Sequence, residues 1–162
     1  MHAWQKVIDT FIARHNLHNS VPVAIERAVD AEGIFLRFTS GLNPVLAYAV
    51  ALGPVRRITV NANLSSPMRR LAVAHELAHL LLDDLAVAHF WTGDTSPFTQ
   101  WIAAKTERRA NLAAARLLIP PDFLCGEYED YTAIAAACDV PPWLVEMVAE
   151  REPLGSRSRE HA

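Results

Sequence analysis

Apolar side chains recur with the period of an α-helix near the start of the chain. Residues 3 to 16 place them on one helical stripe, which predicts an amphipathic helix. A second helix of about three turns is predicted from Ser20, with Pro22 in its first turn and Gly33 as its stop signal. Residues 3 to 33 are therefore predicted to be mostly helical.

The pattern then changes to that of β-strands. Three segments rich in branched and aromatic residues follow, at 34–38, 45–52 and 56–61. The turn-forming stretches SGLNP and GP separate them. We expect three strands in a small antiparallel or mixed sheet.

Helical patterns return after residue 65. Ser66 and Pro67 begin a helix that is predicted to run to Leu82, and a long loop follows it. The remaining predicted helices cover residues 96–118, about 131–138 and about 141–151. The order of elements predicts an α+β fold with a three-stranded sheet packed by helices.

Composition limits the function classes. The chain has 162 residues, a hydrophobic content of 51% and a formal net charge of −3, which suit one compact domain and do not favour nucleic acid as the default partner. Neither a secretory signal nor a membrane-spanning run is evident, so we expect a cytoplasmic protein with no membrane partner. Cys125 and Cys138 form no C-x-x-C pair and are expected to be buried thiols.

The candidate chemistry lies in AVAHELAHLLL, residues 72 to 82, where the pattern H-E-x-x-H interrupts an apolar run. His75 and His79 are four residues apart, so one helical face presents both imidazoles to a single metal ion. Glu76 is placed to act as the general base that takes a proton from water. Asp83 continues the spacing but lies about 12 Å along the axis from His75, so it is left out of the site.

A catalytic zinc usually has three protein ligands. Glu107 is the better candidate for the third, because small residues around it allow its helix to approach the histidine helix closely. The spacing leaves open an alternative, in which Glu107 belongs to a solvated face with Arg108 and Arg109. Asn111, one turn further on, is a candidate to orient Glu107.

The sequence resembles the ImmA/IrrE family of metallo-endopeptidases. VPVAIERAVDAEGI, RRITVN, the HELAH helix and ERRANLAAARLLIP occur in the family's order, over about residues 20 to 150. The last segment is similar to a signature that begins E-x-x-A-N and ends L-L-M-P, with Ile119 in place of Met. Ala78 stands where family members more often have Gly.

The resemblance implies a small zincin-like fold, with His75, His79 and Glu107 as zinc ligands and Glu76 as the catalytic base. It implies a zinc endopeptidase whose substrate is a cognate helix-turn-helix repressor. We predict a metallopeptidase domain at 1–120, a helical extension at 121–152 packed on it, and a polar tail at 153–162; the resemblance makes a helix-turn-helix-like shape plausible for the extension. The ligands alone also suit iron, manganese or cobalt, and zinc is chosen on motif and geometry.

Two alternatives come from other classes of protein. Residues 131–150 fit the pattern of a helix-turn-helix, but the second helix carries Trp143, Glu146 and Glu150 where DNA binding needs basic or amide side chains, so direct nucleic acid binding is not expected. The other is a metal-bearing module that binds a protein partner, as in a toxin–antitoxin pair, with little hydrolysis.

The residue that stabilises the oxyanion is not identified by the pattern. Four residues are candidates by side-chain type only, and for each of them a core or surface role is the simpler interpretation: His89, Tyr48, Tyr128 and Tyr131.

Overall fold

The computed structural model describes residues 2–83, 88–92, 97–125 and 130–149. The helices are α1 (Ala3–His15), α2 (Ile25–Ala31), α3 (Ser66–Leu81), α4 (Pro97–Leu118), α5 (Pro121–Cys125), α6 (Tyr131–Cys138) and α7 (Pro142–Ala149). The strands are β1 (Phe35–Thr39), β2 (Val45–Leu52), β3 (Val55–Asn61) and β4 (Ala88–Thr92). The α+β class is confirmed.

The first helix follows its predicted apolar stripe. Ile8 and Phe11 are buried, and the Gln5 side chain accepts a hydrogen bond from the backbone N–H of His2 at the helix start. Asn16 ends α1 in the left-handed conformation, which Asn adopts more readily than most residues. The predicted boundaries, 3–16, agree with α1 to within one residue.

The second helix is shorter than predicted. Ser20 and Pro22 do not begin it, since α2 starts at Ile25 and has seven residues. The carbonyl oxygen of Val23 accepts a hydrogen bond of 2.7 Å from the guanidinium of Arg70, so a tertiary contact uses a backbone group that the prediction assigned to the helix. Gly33, at φ +67°, lies just past the helix end, where a residue without Cβ adopts this conformation freely.

The sheet has the strand order β1-β3-β2-β4. β1 is parallel to β3, while β2 is antiparallel to both β3 and β4. All three predicted strands are present, and β4 is an additional strand within the stretch that we predicted as a loop. The stretch has the aromatic residues typical of strands, but its pairing with β2 joins residues 38 to 47 positions apart in the chain, which local patterns do not reveal.

One face of the sheet packs on α3. Ala47, Ala49, Ile58 and Val60 share this face and are fully buried, and α3 contacts both β2 and β3. On its other side α3 contacts α4, where alanines on α4 are also fully buried. The histidine helix therefore lies between the sheet and α4, and every one of its residues from 70 to 79 is buried.

The C-terminal part contains one helix that was not predicted, α5, directly after Pro120. The predicted pair of short helices is present as α6 and α7, which are bent by 120° relative to each other. This angle falls in the range typical of a helix-turn-helix. Asp139, in the turn between them, accepts a hydrogen bond from Ser66 at the start of α3. The division into domains at residue 120 stays a prediction.

Among the described residues, no single helix is both long and apolar enough to cross a membrane. In the part of the chain that the structure describes, α6 and α7 taken together, across their bend, are the one pair that reaches that length and composition.

His18 connects the N-terminal segment to the end of α4. Its Nε2–H donates to the carbonyl oxygens of Arg116 and Leu117, at 3.1 and 3.3 Å. Burial lowers the pKa of His18 from its ordinary value of 6.5, although the two carbonyl groups oppose that shift. The neutral imidazole is therefore the form that the folded chain favours.

We expect His18 to reduce the stability of the protein at acid pH. The unfolded chain binds the His18 proton more readily than the folded chain, so the free energy of unfolding falls as the pH drops through 6.5. A His18→Gln variant keeps an N–H donor but does not titrate. Urea denaturation at about pH 8 and about pH 5.5 should show a smaller loss of stability in this variant than in the wild type. Equal losses would contradict the assignment.

Candidate metal centre

The α3 helix supplies two imidazoles to the centre. His75 and His79 are one helical turn apart, both are fully buried, and their Nε2 atoms lie 3.2 Å from each other. Burial of two imidazole nitrogens that face each other in an apolar helix is unfavourable by itself, because buried polar groups are costly unless they are hydrogen-bonded or bound to a metal. The pair therefore needs a further group that satisfies both nitrogens.

Glu107 on α4 supplies that group. One carboxylate oxygen lies 3.1 Å from Nε2 of His75, and the other lies 3.2 Å from Nε2 of His79. Its side chain is 26% exposed, whereas both histidines are inaccessible, so the centre is open to solvent on the side of Glu107. The structure thus brings together the three residues that the sequence predicted, on two helices.

The small residues of α4 explain how Glu107 reaches the histidines. Ala110, Ala113 and Ala114 follow it within two turns and are fully buried, and α4 contacts α3 along this stretch. Side chains of one carbon allow two helix backbones to approach closely. A short carboxylate side chain then extends from α4 to the face of α3 that carries the imidazoles.

The three side chains fit a metal ion. Their ligand atoms all lie within 4.8 Å of one another, and two imidazoles with a carboxylate form a ligand set of catalytic zinc sites. A tetrahedral ion bound at about 2.0–2.1 Å needs ligand atoms roughly 3.3 Å apart. The observed separations of 3.1 and 3.2 Å are close to that value.

Asn111 orients one of the imidazoles. Its Oδ1 accepts a hydrogen bond of 2.8 Å from Nδ1 of His75, so the proton of this ring lies on Nδ1 and the Nε2 lone pair faces the centre. We expected Asn111 to orient Glu107, on the same helix. The structure shows instead a contact with His75 on the neighbouring helix, because the close crossing of α3 and α4 places Asn111 against that ring.

Glu76 is the third ionisable residue of the motif and is fully buried on α3. It follows the first imidazole directly in sequence and is separated from the second by one helical turn. Its role as general base stays a prediction, which the experiments below address.

Two of the four candidates for oxyanion stabilisation, Tyr48 and Tyr131, have described side chains. Tyr48 pairs with Thr59 and lies on the face of the sheet away from α3, and Tyr131 is the first residue of α6. His89 lies in β4 and pairs with Ala49 of β2, and its side chain is outside the described part of the structure. Tyr128 lies outside the described residues altogether.

Asp83 takes a left-handed conformation just beyond α3 and is not among the residues that form the centre. This agrees with the prediction that Asp83 lies too far along the helix axis from His75 to be a ligand. The adjacent Asp84 lies outside the described residues.

An α+β domain that carries H-E-x-x-H on a buried helix, with a glutamate converging from the next helix, has the arrangement of a metallopeptidase of the zincin type. The chain belongs to the Peptidase_M78 family, described as the IrrE N-terminal-like domain, whose family model matches residues 29–137. This confirms the resemblance drawn from the sequence and supports a metallopeptidase-type function. A search of curated proteins found no significant match.

Removal of Glu107 should abolish stable metal binding. Without the carboxylate only two ligands remain, and since even an outer-shell partner is worth about 10- to 100-fold in affinity, losing a direct ligand should cost more than about 100-fold. Elemental analysis of wild type and Glu107→Ala, purified side by side without chelator, measures this. Arg108→Ala, the next residue on the same helix, is the control and should keep its metal. Equal metal content in all three proteins would exclude Glu107 as a ligand.

Asn111→Ala should weaken metal binding without eliminating it. The loss of the hydrogen bond frees the His75 ring to rotate and to change tautomer, and we expect about 10- to 100-fold lower affinity. Titration against a coloured chelator of known affinity gives the ratio. Asn111→Asp keeps an acceptor oxygen and should retain most of the affinity. An unchanged affinity in Asn111→Ala would show that the contact does not orient the ligand.

Proposed function

We propose that this protein is a zinc-dependent endopeptidase that cleaves a cognate helix-turn-helix repressor, and so acts as an anti-repressor in the cytoplasm. The convergence of His75, His79 and Glu107 in the middle of the fold is the observation that supports hydrolysis most strongly. Family membership supports the same class of reaction.

The metal in this proposal is zinc, held by the two imidazoles and the carboxylate. A bound zinc ion would supply Lewis acidity, which polarises the peptide carbonyl and makes water more acidic. Zinc is preferred to iron or manganese because the compact set of three ligands suits a four-coordinate site with one exchangeable position.

Glu76 is the acid–base residue of the proposal. Its carboxylate accepts a proton from the water that attacks the peptide carbonyl carbon, and delivers the proton to the amine nitrogen as the peptide bond breaks. One water is consumed, and a new carboxyl group and a new amine are formed. Burial of Glu76 supports this role, because electrostatic interactions are stronger in surroundings from which water is excluded.

The remaining residues of the centre position the reacting groups. Asn111 holds the His75 ring through Nδ1, and the packing of α3 against the sheet fixes the helix on which both imidazoles and Glu76 lie. The partial exposure of Glu107 supports access of a polypeptide from that side of the centre.

A protein substrate, rather than nucleic acid, is part of the proposal. On α7 the exposed side chains include Trp143 and Glu146, and a carboxylate there is repelled by phosphate. The turn of the helix pair is also engaged within the chain, since Asp139 accepts a hydrogen bond from Ser66. The helix pair is therefore better suited to packing than to reading DNA.

The deciding experiment uses the zinc-loaded protein and the repressor encoded beside its gene. We expect cleavage at a defined bond of the repressor. Gel electrophoresis detects the fragments, and mass spectrometry identifies the bond. Glu76→Gln should lower kcat by about 10²- to 10⁴-fold, as expected when a general base is lost, with unchanged zinc content. Glu107→Ala should lose both zinc and activity.

Two results would contradict the proposal. Cleavage by Glu76→Gln at the wild-type rate would remove Glu76 from the mechanism. A stable complex with an intact repressor, formed by fully zinc-loaded wild type, would instead identify a metal-bearing binding module.

A further inference from the structure

The sheet has a second face, which points away from the histidine helix. By strand register, Phe35, Leu52, Val55, Arg37 and Arg57 all lie on this face, and we call them the outer patch. The residues on the opposite face, such as Ile58 and Val60, are fully buried against α3. The outer patch is therefore separated from the metal centre by the thickness of the sheet and of α3.

The apolar members of the outer patch are unusually exposed. Phe35, Leu52 and Val55 expose 61%, 66% and 55% of their surface, and Leu52 pairs directly with Val55 across β2 and β3. Single exposed apolar residues are common, but several on one sheet face form a contiguous surface of the kind that binds a partner.

The charged members of the outer patch are both cations. Arg57 lies over the Phe35 ring, 5.9 Å from its centroid, and Arg37 is exposed on the neighbouring strand. Within the described part of the chain, neither guanidinium forms an ion pair. Nothing on the strands offsets this charge, since residues 33 to 75 contain no Asp or Glu at all.

This distribution is at odds with the chain as a whole, which has a net charge of −3. The acidic residues lie before residue 33 and after residue 75, so the sheet is a local cationic and apolar surface on an acidic protein. Such a surface is complementary to a segment that combines acidic with apolar side chains.

We propose that the outer patch docks an acidic, apolar segment of a partner protein. Leu52, Val55 and Phe35 would contact its apolar side chains, and Arg37 and Arg57 would pair with its carboxylates. A second copy of this chain is disfavoured as the occupant, because a symmetric contact through this face would oppose arginine to arginine. Nucleic acid is disfavoured because two cations beside aliphatic side chains give few phosphate contacts.

The proposal does not depend on hydrolysis. Because the outer patch lies on the far side of the sheet from His75 and His79, docking should persist when the metal centre is disabled. Binding is therefore measured with wild type and with Glu107→Ala, both in the presence of chelator, so that a failure of the proposed peptidase function leaves this test intact.

The experiment is a selection from a random peptide library displayed on phage, with the full-length protein immobilised as bait. Enriched sequences are then synthesised, and their affinities are measured by fluorescence anisotropy. We expect peptides that combine Asp or Glu with apolar residues, with affinity that falls as salt rises. Arg57→Glu and Leu52→Ser should each weaken binding at least about tenfold, as at a central interface contact.

The matched control is Lys6→Glu, which reverses an exposed cation on α1, away from the sheet. It should leave the affinity within about twofold of wild type, because exposed charges outside an interface contribute little. Circular dichroism shows that each variant is folded.

Several results would overturn the proposal. The selection could enrich no peptide, or it could enrich peptides that lack acidic residues. Peptide binding could also be unchanged in Arg57→Glu and Leu52→Ser. Two other occupants are tested in parallel. Concentration-dependent self-association that Leu52→Ser abolishes would assign the outer patch to a second copy, and saturable binding of single-stranded oligonucleotides that Arg57→Glu abolishes would assign it to nucleic acid.

Discussion

The close crossing of α3 and α4 is the constraint on which the rest of the structure depends. His75, His79 and Glu76 lie on a helix that is buried on all sides, and isolated ionisable groups in such a position are costly. The carboxylate of Glu107 lies beside both imidazoles only because fully buried alanines on α4 let the two helices approach. The same crossing places Asn111 against His75. A larger side chain at Ala110 or Ala114 would separate the helices and with them the three ligand atoms.

The sheet provides the other boundary of α3. Its inner face is lined with small and branched apolar side chains, which fill the space against the helix without polar groups of their own. A second anchor holds the start of α3: the buried guanidinium of Arg70 donates to the carbonyl of Val23 and lies 3.6 Å from the carboxylate of Asp139. The helix is thereby connected to the segment before α2 and to the turn of the C-terminal helix pair. This fixes both the direction and the register of the face that carries the imidazoles.

The two faces of the sheet have different surroundings. The inner face contributes to the core that supports the metal centre, while the outer face exposes apolar and cationic side chains that the core does not require. In an antiparallel or mixed sheet with one solvated face, polar residues normally occupy the outward positions. Phe35, Leu52 and Val55 depart from that pattern at positions where the fold itself imposes no apolar residue, which is why this surface is best explained by a partner.

The sequence by itself determined most of the helices and strands and the identity of the three ligand candidates. The apolar period fixed α1, α3 and α6 to within a residue or two, and H-E-x-x-H together with the resemblance pointed to the three ligand candidates that the structure brings together. Local patterns carry this information because helix period, strand alternation and ligand spacing are set by neighbouring residues. Only the tertiary structure decided the rest. The start of α2 depends on Arg70 and Val23, the strand β4 on pairing with β2, and the partner of Asn111 on how α3 crosses α4. Each of these joins segments far apart in the chain, and their energies come from packing and hydrogen bonds that no local pattern contains.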